Sequence, residues 1–325
     1  NGEYLFDVYI GNAKLYSNNK KAPEQIVVGI NMDATYGEDI GFDRNTGELF
    51  TSAQQFYQYI RDEVIFYMQE NYRTSPFITL VADDYAANFI SYFLGEKQAF
   101  INAFICINPN FSDFVRNQLY SYNLSRLESV DNIFYIYTNN NKALLPKQQE
   151  TISKVQEDLS ALQLKNVKII NDQINTKYAI GSIAAAIPNA LAEIFEIYAP
   201  ITKEEYNQKI KDLSPDEAIE YLRNKYYEID FLFGINMEMR ESDIAAVEGI
   251  VIDKENGDKL KDFGKLFLDL RPKSPLGDYY LGLYYEMGGD FKKALKHYRF
   301  GFSKIDPSDP NADAYYENIL RVGGQ

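Results

Sequence analysis

The fold of this chain is decided by one stretch of sequence, Thr79-Leu80-Val81-Ala82-Asp83-Asp84-Tyr85-Ala86-Ala87-Asn88-Phe89. The apolar start of this stretch predicts a buried β-strand over residues 77–81, and its small residues predict a helix over residues 84–94. A sharp turn must join them, because almost no loop residues lie between. A strand that passes directly into a helix is typical of an α/β fold.

Strand-like and helix-like segments alternate through the first 200 residues. The predicted strands lie at residues 5–10, 26–30, 77–81, 103–107, 133–137 and 167–170. The predicted helices lie at residues 52–71, 84–94, 151–162 and 183–198. This alternation predicts a mostly parallel sheet with helices on both faces.

The character of the sequence changes near residue 200, where helix signals replace strand signals. Ser214-Pro215-Asp216-Glu217 is typical of a helix start, with an N-cap, a proline at the first helical position and acidic residues in the first turn. Helices are predicted over residues 215–227 and 312–320. We therefore predict an α/β domain over residues 1–200 and a small all-α, repeat-like domain over residues 201–325.

A repeat-like pattern is centred on Gly282. It consists of Leu281-Gly282-x2-Tyr285, followed by Ala294, Tyr298, Gly301 and Pro307. The pattern resembles one tetratricopeptide repeat, in which small residues let two antiparallel helices approach closely. The leading Trp of such a repeat is missing, and Pro307 falls one place late. The resemblance implies a helix pair that is either a structural cap or a groove for a protein partner.

Several segments of the first domain resemble the esterase D/enterochelin esterase-like family of α/β-hydrolases. They are Ile26-Val27-Val28-Gly29-Ile30-Asn31 with Asp39, the pattern Phe56-x2-Tyr59-Ile60-x2-Glu63-Val64-Ile65-x-Tyr67-Met68-x3-Tyr72-Arg73, the turn segment 79–89, and Asn108-Pro109. Phe66 stands where that family has a proline. The resemblance covers residues 4–198 and implies an α/β-hydrolase-like, mostly parallel sheet.

The catalytic groups of that family do not carry over to this sequence. The resemblance places Asp84 at the position of the nucleophilic serine, with Ala82 and Ala86 in place of the flanking glycines. It places the acid of the triad at Asn140 and the base near Lys177. Acyl transfer needs a nucleophile, a base and an acid that holds the base. All three positions are therefore degenerate, and the resemblance implies a catalytically inactive protein.

A rescue of the chemistry through Asp84 needs a histidine. An aspartate nucleophile forms an ester that a His-activated water must hydrolyse. The one histidine of the sequence is His297, far along the chain in the repeat-like region. We predict that His297 is a surface residue of its helix and not a relocated base.

The two adjacent carboxylates at the turn have other interpretations. Asp83 or Asp84 can cap the following helix, where the N–H groups and the positive end of the helix dipole favour an anion. They can also ligate a metal together with an acidic loop around Asp39 and Asp43. No EF-hand spacing, His pair or Cys cluster accompanies them, so we predict capping, no metal and no cofactor. Lys177 is a candidate ion-pair partner of Asp84.

The same turn sets the expectation for an oxyanion hole. One donor would be the backbone N–H of Tyr85. The methyl groups of Ala82 and Ala86 crowd a strained turn where glycine relieves crowding, so we expect a relaxed turn. The candidate cleft consists of Ala82, Asp83, Asp84, Tyr85 and Tyr178.

The bulk composition excludes several classes of function. A net charge of −14 repels phosphate backbones, so nucleic-acid binding is not expected. No apolar run approaches the roughly 18 residues that a membrane-spanning helix needs. Cys106, the one cysteine, lies among apolar residues and is predicted to be a small core side chain.

The functional expectation is binding. We expect an inactive esterase-like protein that binds a small molecule in the former cleft or a protein through its helical domain. An ester hydrolase with non-standard catalytic residues is the alternative. Because the sequence starts at Asn1 and not at Met, a leader or a chosen boundary is expected, and a signal peptide would imply an extracytoplasmic location.

Overall fold

The computed structural model describes residues 2–32, 34–95, 100–113, 115, 133–160, 167–253, 257–306 and 308–324. Packing divides the chain into two compact units. The first comprises Asn1–Ala199 and Ile229–Ile235, and the second comprises Pro200–Glu228 and Asn236–Gln325.

The described part of the first unit is built on a parallel sheet of four strands in the order β1-β2-β3-β4. The strands are β1 (Thr79–Asp83), β2 (Ala103–Ile107), β3 (Ile133–Asn139) and β4 (Val167–Gln173). In the register of the sheet, Val81 pairs with Ile105, and Ile105 pairs with Ile136. Every residue of β2 and β3 is buried, as expected for a sheet covered on both faces. The four strands predicted from residue 77 onward are confirmed.

Six helical elements of the first unit are described. They are α1 (Gly2–Asn18), α2 (Tyr36–Asp39), α3 (Thr51–Gln58, Tyr59–Val64 and Ile65–Asn71, the middle part with π geometry), α4 (Asp84–Ile90, continued as a 3-10 turn over Ser91–Gly95), α5 (Pro146–Ser160) and α6 (Ala179–Ile194). The helices predicted over residues 52–71, 84–94 and 183–198 are confirmed. The one predicted over residues 151–162 is confirmed to Ser160, since residues 161–166 lie outside the described part.

One face of the sheet packs against α4 and α5. Cys106 and Tyr135 on the strands join Phe89 of α4 and Ile152 of α5 in a single apolar cluster. The alternate strand positions point to the other face, where α6 packs on β2 and β3 and α1 packs on α6. The hydroxyl of Tyr16 in α1 donates to the carbonyl of Pro188 in α6 at 2.7 Å.

The two strands predicted before residue 31 are wrong. Residues 5–10 belong to α1, because Leu5, Tyr9 and Ala13 recur at helical spacing and are buried together. Their short alternation of apolar and polar residues fits a strand equally well, and the longer window decides. Residues 26–30 are extended, but they join no strand of the described sheet.

The described part of the second unit is helical. Its helices are α7 (Lys203–Glu205, continued with π geometry over Tyr206–Ile210), α8 (Pro215–Phe233, whose last five residues belong to the first unit), α9 (Glu241–Asp253), α10 (Leu260–Leu270), α11 (Leu276–Met287), α12 (Phe291–Phe302) and α13 (Ala312–Gly323). The helices predicted over residues 215–227 and 312–320 are confirmed. Pro307 lies outside the described residues. No helix of the described part is long and apolar enough to cross a membrane.

The fully buried carboxylate of Asp243 forms hydrogen bonds with two other segments at the start of the second unit. It accepts the backbone N–H of Ile201 and the hydroxyl of Tyr226, each at 2.8 Å. Arg240 Nη1 lies 3.7 Å from Oδ2 of Asp243, the oxygen that accepts the Tyr226 hydroxyl. Buried charge is tolerated here because it is paired and hydrogen-bonded.

Successive helices from α10 to α13 pack side by side, and small residues allow the close contacts. Gly282 of α11 faces the buried ring of Tyr298 on α12, so that an added Cβ would lie 2.5 Å from ring atom Cδ1. Real carbon atoms do not approach so closely without a shift. The contact explains the Gly282 and Tyr298 pattern in the sequence.

We predict that Gly282→Ala destabilises the protein by about 1–3 kcal/mol, because the buried Tyr298 ring must move. Gly249→Ala is the matched control, since an added Cβ there meets nothing within 4 Å. It should stabilise the protein by about 0.5–1 kcal/mol through the helix preference of alanine. Denaturant unfolding measures both. A Gly282→Ala protein as stable as the parent would contradict the packing.

Candidate functional site

The junction of β1 and α4 forms a sharp turn at the carboxyl edge of the sheet. Asp83 ends the strand with extended backbone, and Asp84 follows in the left-handed region with φ 53°. This conformation costs a non-glycine residue roughly 1–2 kcal/mol. The expectation of a relaxed turn is wrong. Ala82 and Ala86 are compatible with the turn because both side chains are buried in the core and the strained dihedral belongs to Asp84 alone.

Asp84 is a partly desolvated carboxyl group. Burial raises its pKa, and the negative charge of Asp83 raises it further. The side chain of Asn110 and the backbone N–H of Tyr85 hydrogen-bond to the carboxylate and act in the opposite direction. The backbone N–H of Tyr85 therefore acts on the carboxylate of Asp84.

Asp83 occupies the N-cap position of α4, yet its side chain makes no capping hydrogen bond. The predicted capping role is therefore wrong for Asp83. Burial raises the pKa of this carboxyl as well. Asp84 lies in the first turn of the short helix, where the N-terminal N–H groups partly offset the desolvation of a carboxylate.

Tyr36 is a member of the site that the sequence did not reveal. Burial raises the pKa of its phenol to about 12, and the nearby carboxylates of Asp84 and Asp83 contribute, while the backbone N–H of Ala86 opposes them. The phenol thus lies beside the turn. Its one-turn helix α2 is held by a hydrogen bond from the Ser52 hydroxyl to the Glu38 carbonyl at 2.8 Å.

The loop after β2 makes hydrogen bonds that hold the turn between β1 and α4. Asn108 has φ 44°, and its backbone N–H donates to Thr138 Oγ1 at 2.7 Å. Its Nδ2 donates to the carbonyl of Ala179 at 3.0 Å, which joins β2 to the start of α6. Two residues later, the N–H of Asn110 donates to the carbonyl of Asp84 at 3.1 Å. The loop therefore fixes both the backbone and the carboxylate of Asp84.

Asn140, at the position of the triad acid, is a structural residue. Its fully buried amide donates to Thr176 Oγ1 at 2.8 Å and to Ser182 Oγ at 2.9 Å. The backbone carbonyl of Asn140 accepts the N–H groups of Ala143 and Leu144, each at 3.1 Å. Asn140 thereby connects the turn after β3 to the segment that enters α6.

Lys177 and Tyr178 lie at the exposed surface near this edge. The ammonium group of Lys177 lies 5.2 Å from the centre of the Tyr178 ring. Within the described residues the structure shows no ion pair between Lys177 and Asp84. The proposed replacement of a His–Ser contact by an ion pair is therefore not present.

His297 lies in the second unit with a side chain that is 23% exposed. Its Nδ1 lies 3.0 Å from Oδ1 of the buried Asp278, whose other oxygen binds Lys304 at 2.7 Å. The imidazole also stacks on Tyr285 with ring centres 5.5 Å apart. His297 is therefore a packing residue between α11 and α12.

Other nucleophile candidates are buried in the core. Cys106 is fully buried, and burial raises the pKa of its thiol to about 12, which confirms its role as a core side chain. Ser91 Oγ lies 2.7 Å from the Tyr135 hydroxyl and donates to the Ala87 carbonyl. Within the described residues no group of three or more His, Cys, Asp or Glu side chains is placed to hold a metal.

The polar groups at the turn are hydrogen-bond donors and acceptors. Two carboxyl groups of raised pKa, the phenol of Tyr36 and the amide of Asn110 meet at the carboxyl edge of the sheet. The exposed ring of Tyr85 lies on the same helix as Asp84, and the exposed ring of Tyr178 lies at the N-cap of α6. Ligands of open α/β sheets bind at this edge.

Comparisons with known proteins identify the fold. No protein-family model and no curated protein matches the chain. A crystal structure of an uncharacterised protein from Capnocytophaga ochracea DSM 7271 is similar, with TM-score 0.87 and 21% identity over 100% of this chain and 89% of the other. An IroE-like serine hydrolase from Shewanella oneidensis has TM-score 0.49 and 11% identity over 79% of this chain and 83% of the other. The first likeness shows a shared fold, and the chain is a mixed α/β protein with a parallel sheet and a helical C-terminal region.

We predict that Asn140→Asp, which introduces an acid at the position that the resemblance aligns with the triad acid, destabilises the protein by about 1–3 kcal/mol. An ionised Asp cannot donate to Thr176 Oγ1, whose own proton goes to the Tyr178 carbonyl at 2.9 Å. Burial penalises the new charge, so the loss should grow as pH rises. The exposed neighbour Asn141→Asp is the control and should change unfolding by less than about 0.5 kcal/mol. Equal stability of the two variants would contradict the role of Asn140.

We predict that Asp84→Asn stabilises the protein at neutral pH. Because the folded pKa of Asp84 is raised, its favourable contribution is complete below the unfolded pKa and is lost as pH rises through the folded pKa. The difference in unfolding free energy between Asp84→Asn and the parent should therefore grow as pH rises and vanish in acid. Denaturant unfolding between about pH 3 and pH 8 measures it.

Asp43→Asn is the control of opposite sign for that measurement. Backbone N–H groups of Thr46 and Asn45 lower the pKa of Asp43, so its contribution is present above the unfolded pKa and lost as pH falls. The variant should be less stable than the parent at neutral pH and equal to it in acid. A pH-independent effect of Asp84→Asn would show that backbone strain, and not charge, dominates at the turn.

Proposed function

We propose that this protein is a catalytically inactive esterase-like protein that binds a ligand in the cleft at the β1–α4 turn. The observation that carries the proposal is Asp84, which holds a strained nucleophile-type turn without any histidine in residues 1–200. The turn supports a resemblance to the esterase fold. The missing base argues against acyl transfer through it.

The energetics of the turn support binding over a purely structural role. Asp84 combines an unfavourable backbone conformation with a desolvated carboxyl, and Asp83 adds a second desolvated carboxyl beside it. Residues that oppose stability are a feature of functional sites, where geometry is maintained for a ligand. A ligand that donates hydrogen bonds, such as an alcohol or an ammonium group, would complement these acceptors.

The helical domain, which we place at residues 201–325, is the proposed surface for a protein partner. Helix pairs begin at Glu241 and Leu276, and a single described helix begins at Ala312, and the roughly 35-residue spacing of these starts is similar to that of tetratricopeptide repeats. The close contact of Gly282 with Tyr298 supports this reading of the repeat. Stacked pairs of this kind present an extended surface to a partner.

An ester hydrolase with non-standard catalytic residues is the second candidate function. The positive φ of Asp84 favours it, because this is the conformation that presents a nucleophile at such a turn. In this case Asp84 would attack the ester, and a group other than histidine would have to activate water.

We predict no turnover of short-chain nitrophenyl esters above the buffer rate at neutral pH. The physical reason is the lack of a general base near Asp84, whose own carboxylate takes the Tyr85 N–H. The full chain and Asp84→Ala are compared in a spectrophotometric assay over long incubation. Equal rates for the two proteins support the inactive reading.

Asp43→Ala is the control for this assay, because it removes an exposed carboxylate from a loop of the same unit. Activity of the parent that survives Asp43→Ala and is lost in Asp84→Ala would overturn the proposal in favour of the hydrolase. Activity that survives both changes would be assigned to a contaminant or to another site.

A further inference from the structure

One face of helix α12 carries basic side chains around an exposed aromatic ring. Lys292, Lys296 and Arg299 recur at positions i, i+4 and i+7, so they lie along one side of the helix. Phe300 follows at position i+8 and belongs to the same side. All four side chains are exposed, and that of Phe300 is 53% exposed. We call these four residues the α12 stripe.

The packing of α12 holds the stripe toward solvent. Ala294, Tyr298 and Gly301 lie on the opposite side of the helix and are buried. The ring of Tyr298 packs against Gly282 of α11. The α12 stripe therefore cannot turn inward while this helix pair is folded.

The cations of the α12 stripe are not neutralised by the described chain. None of the three has an ion-pair partner among the described residues, whereas their neighbour Lys293 binds Asp290 at 2.7 Å. The ammonium group of Lys296 lies 5.9 Å from the centre of the Phe300 ring. Among the described helices of the second unit, α12 alone has no acidic residue. Water can solvate such charges, but an exposed aromatic ring among them is typical of a face that contacts an anionic interface.

The area of the α12 stripe distinguishes between kinds of anionic partner. A helix of 12 residues is about 18 Å long and about 10 Å wide, so the stripe offers roughly 180 Å². A stable protein interface buries about 800 Å² on each partner. An anionic lipid surface needs no such area, because each Lys or Arg near it raises the binding constant about fivefold, and three raise it about a hundredfold.

We propose that the α12 stripe binds the surface of a membrane that contains anionic phospholipids, with its cations at the lipid phosphates and the Phe300 ring among the headgroups. Helix α12 then lies along the membrane plane and does not cross it. The net charge of −14 opposes the approach, but charges more than about 8 Å from the contact are screened in physiological salt. The contact is independent of the Asp84 turn, which belongs to the first unit.

Vesicle sedimentation tests the contact. The full chain is mixed with vesicles of phosphatidylcholine alone, and with vesicles of phosphatidylcholine and phosphatidylglycerol. We expect binding to the anionic vesicles to be at least about tenfold tighter than to the neutral ones. The difference should disappear at about 1 M salt, where the screening length falls to about 3 Å. Equal binding to both kinds of vesicle at low salt, or binding to neither, would overturn the proposal.

A double charge reversal tests the assignment to α12. Lys292→Glu with Arg299→Glu should remove the preference for anionic vesicles. Lys147→Glu with Lys154→Glu is the matched control, because it makes the same charge change at the same spacing on α5 of the first unit. All four side chains are exposed, so both double variants should fold as the parent does. Equal loss of binding in the two would reveal an effect of net charge alone and would overturn the assignment.

Phe300→Ala separates insertion of the ring from charge attraction. It should weaken binding to the anionic vesicles about three- to tenfold and leave the salt dependence unchanged, because the three cations remain. Leu145→Ala, at an apolar residue of the first unit that is 73% exposed, is the control and should bind as the parent does. Unchanged binding of Phe300→Ala, or tighter binding of the parent to polyglutamate or duplex DNA than to the anionic vesicles, would contradict the membrane contact in favour of a soluble polyanion.

Discussion

The backbone conformation of Asp84 is the constraint on which the site depends. A strand that must pass into a helix without a loop needs one residue in the left-handed region, and Asp84 takes that position with φ 53°. The turn is held from outside by the N–H of Asn110, which binds the Asp84 carbonyl at 3.1 Å. Because Asn108 is tied to β3 and to α6, the geometry of the turn follows from the way the parallel strands end.

The three residues that the resemblance aligns with a catalytic triad differ in their structural surroundings. Asn140 has a structural role, since its buried side-chain amide donates hydrogen bonds to the hydroxyl groups of Thr176 and Ser182. Lys177 is exposed and contacts only the neighbouring ring among its described partners. Asp84 alone keeps an unfavourable conformation and an unfavourable solvation. If the cleft had only a structural role, a substitution that removes the strained backbone or the desolvated carboxyl of Asp84 would be the simplest route to a more stable protein.

Much of the fold could be predicted from the sequence, and the failures have local causes. β2 was predictable because Ala103–Ile107 is apolar at every position and is buried at every position. Residues 5–10 were not, because six residues cannot separate a period of two from one of 3.6 when the apolar positions coincide. Tyr36 could not be predicted as a site residue, because only the folded chain brings its loop to the Asp84 turn. The position of Asp84 followed from the strand–turn–helix pattern, but its strain did not, since the φ angle depends on contacts with Asn110 and the buried Ala82 and Ala86.

The open edge of β1 bears on the same site. β1 is the edge strand of the described sheet and leads into the two partly desolvated carboxyl groups, and edge strands exchange and fray more readily than inner strands. The Asp84 turn requires the opposite, since its strain is maintained only by surroundings that over-determine it. Asp84 keeps its left-handed conformation while β1 pairs on one side only in the described sheet, so the contacts that hold the turn are the Asn110 N–H on the Asp84 carbonyl and the packing of the buried Ala82 and Ala86.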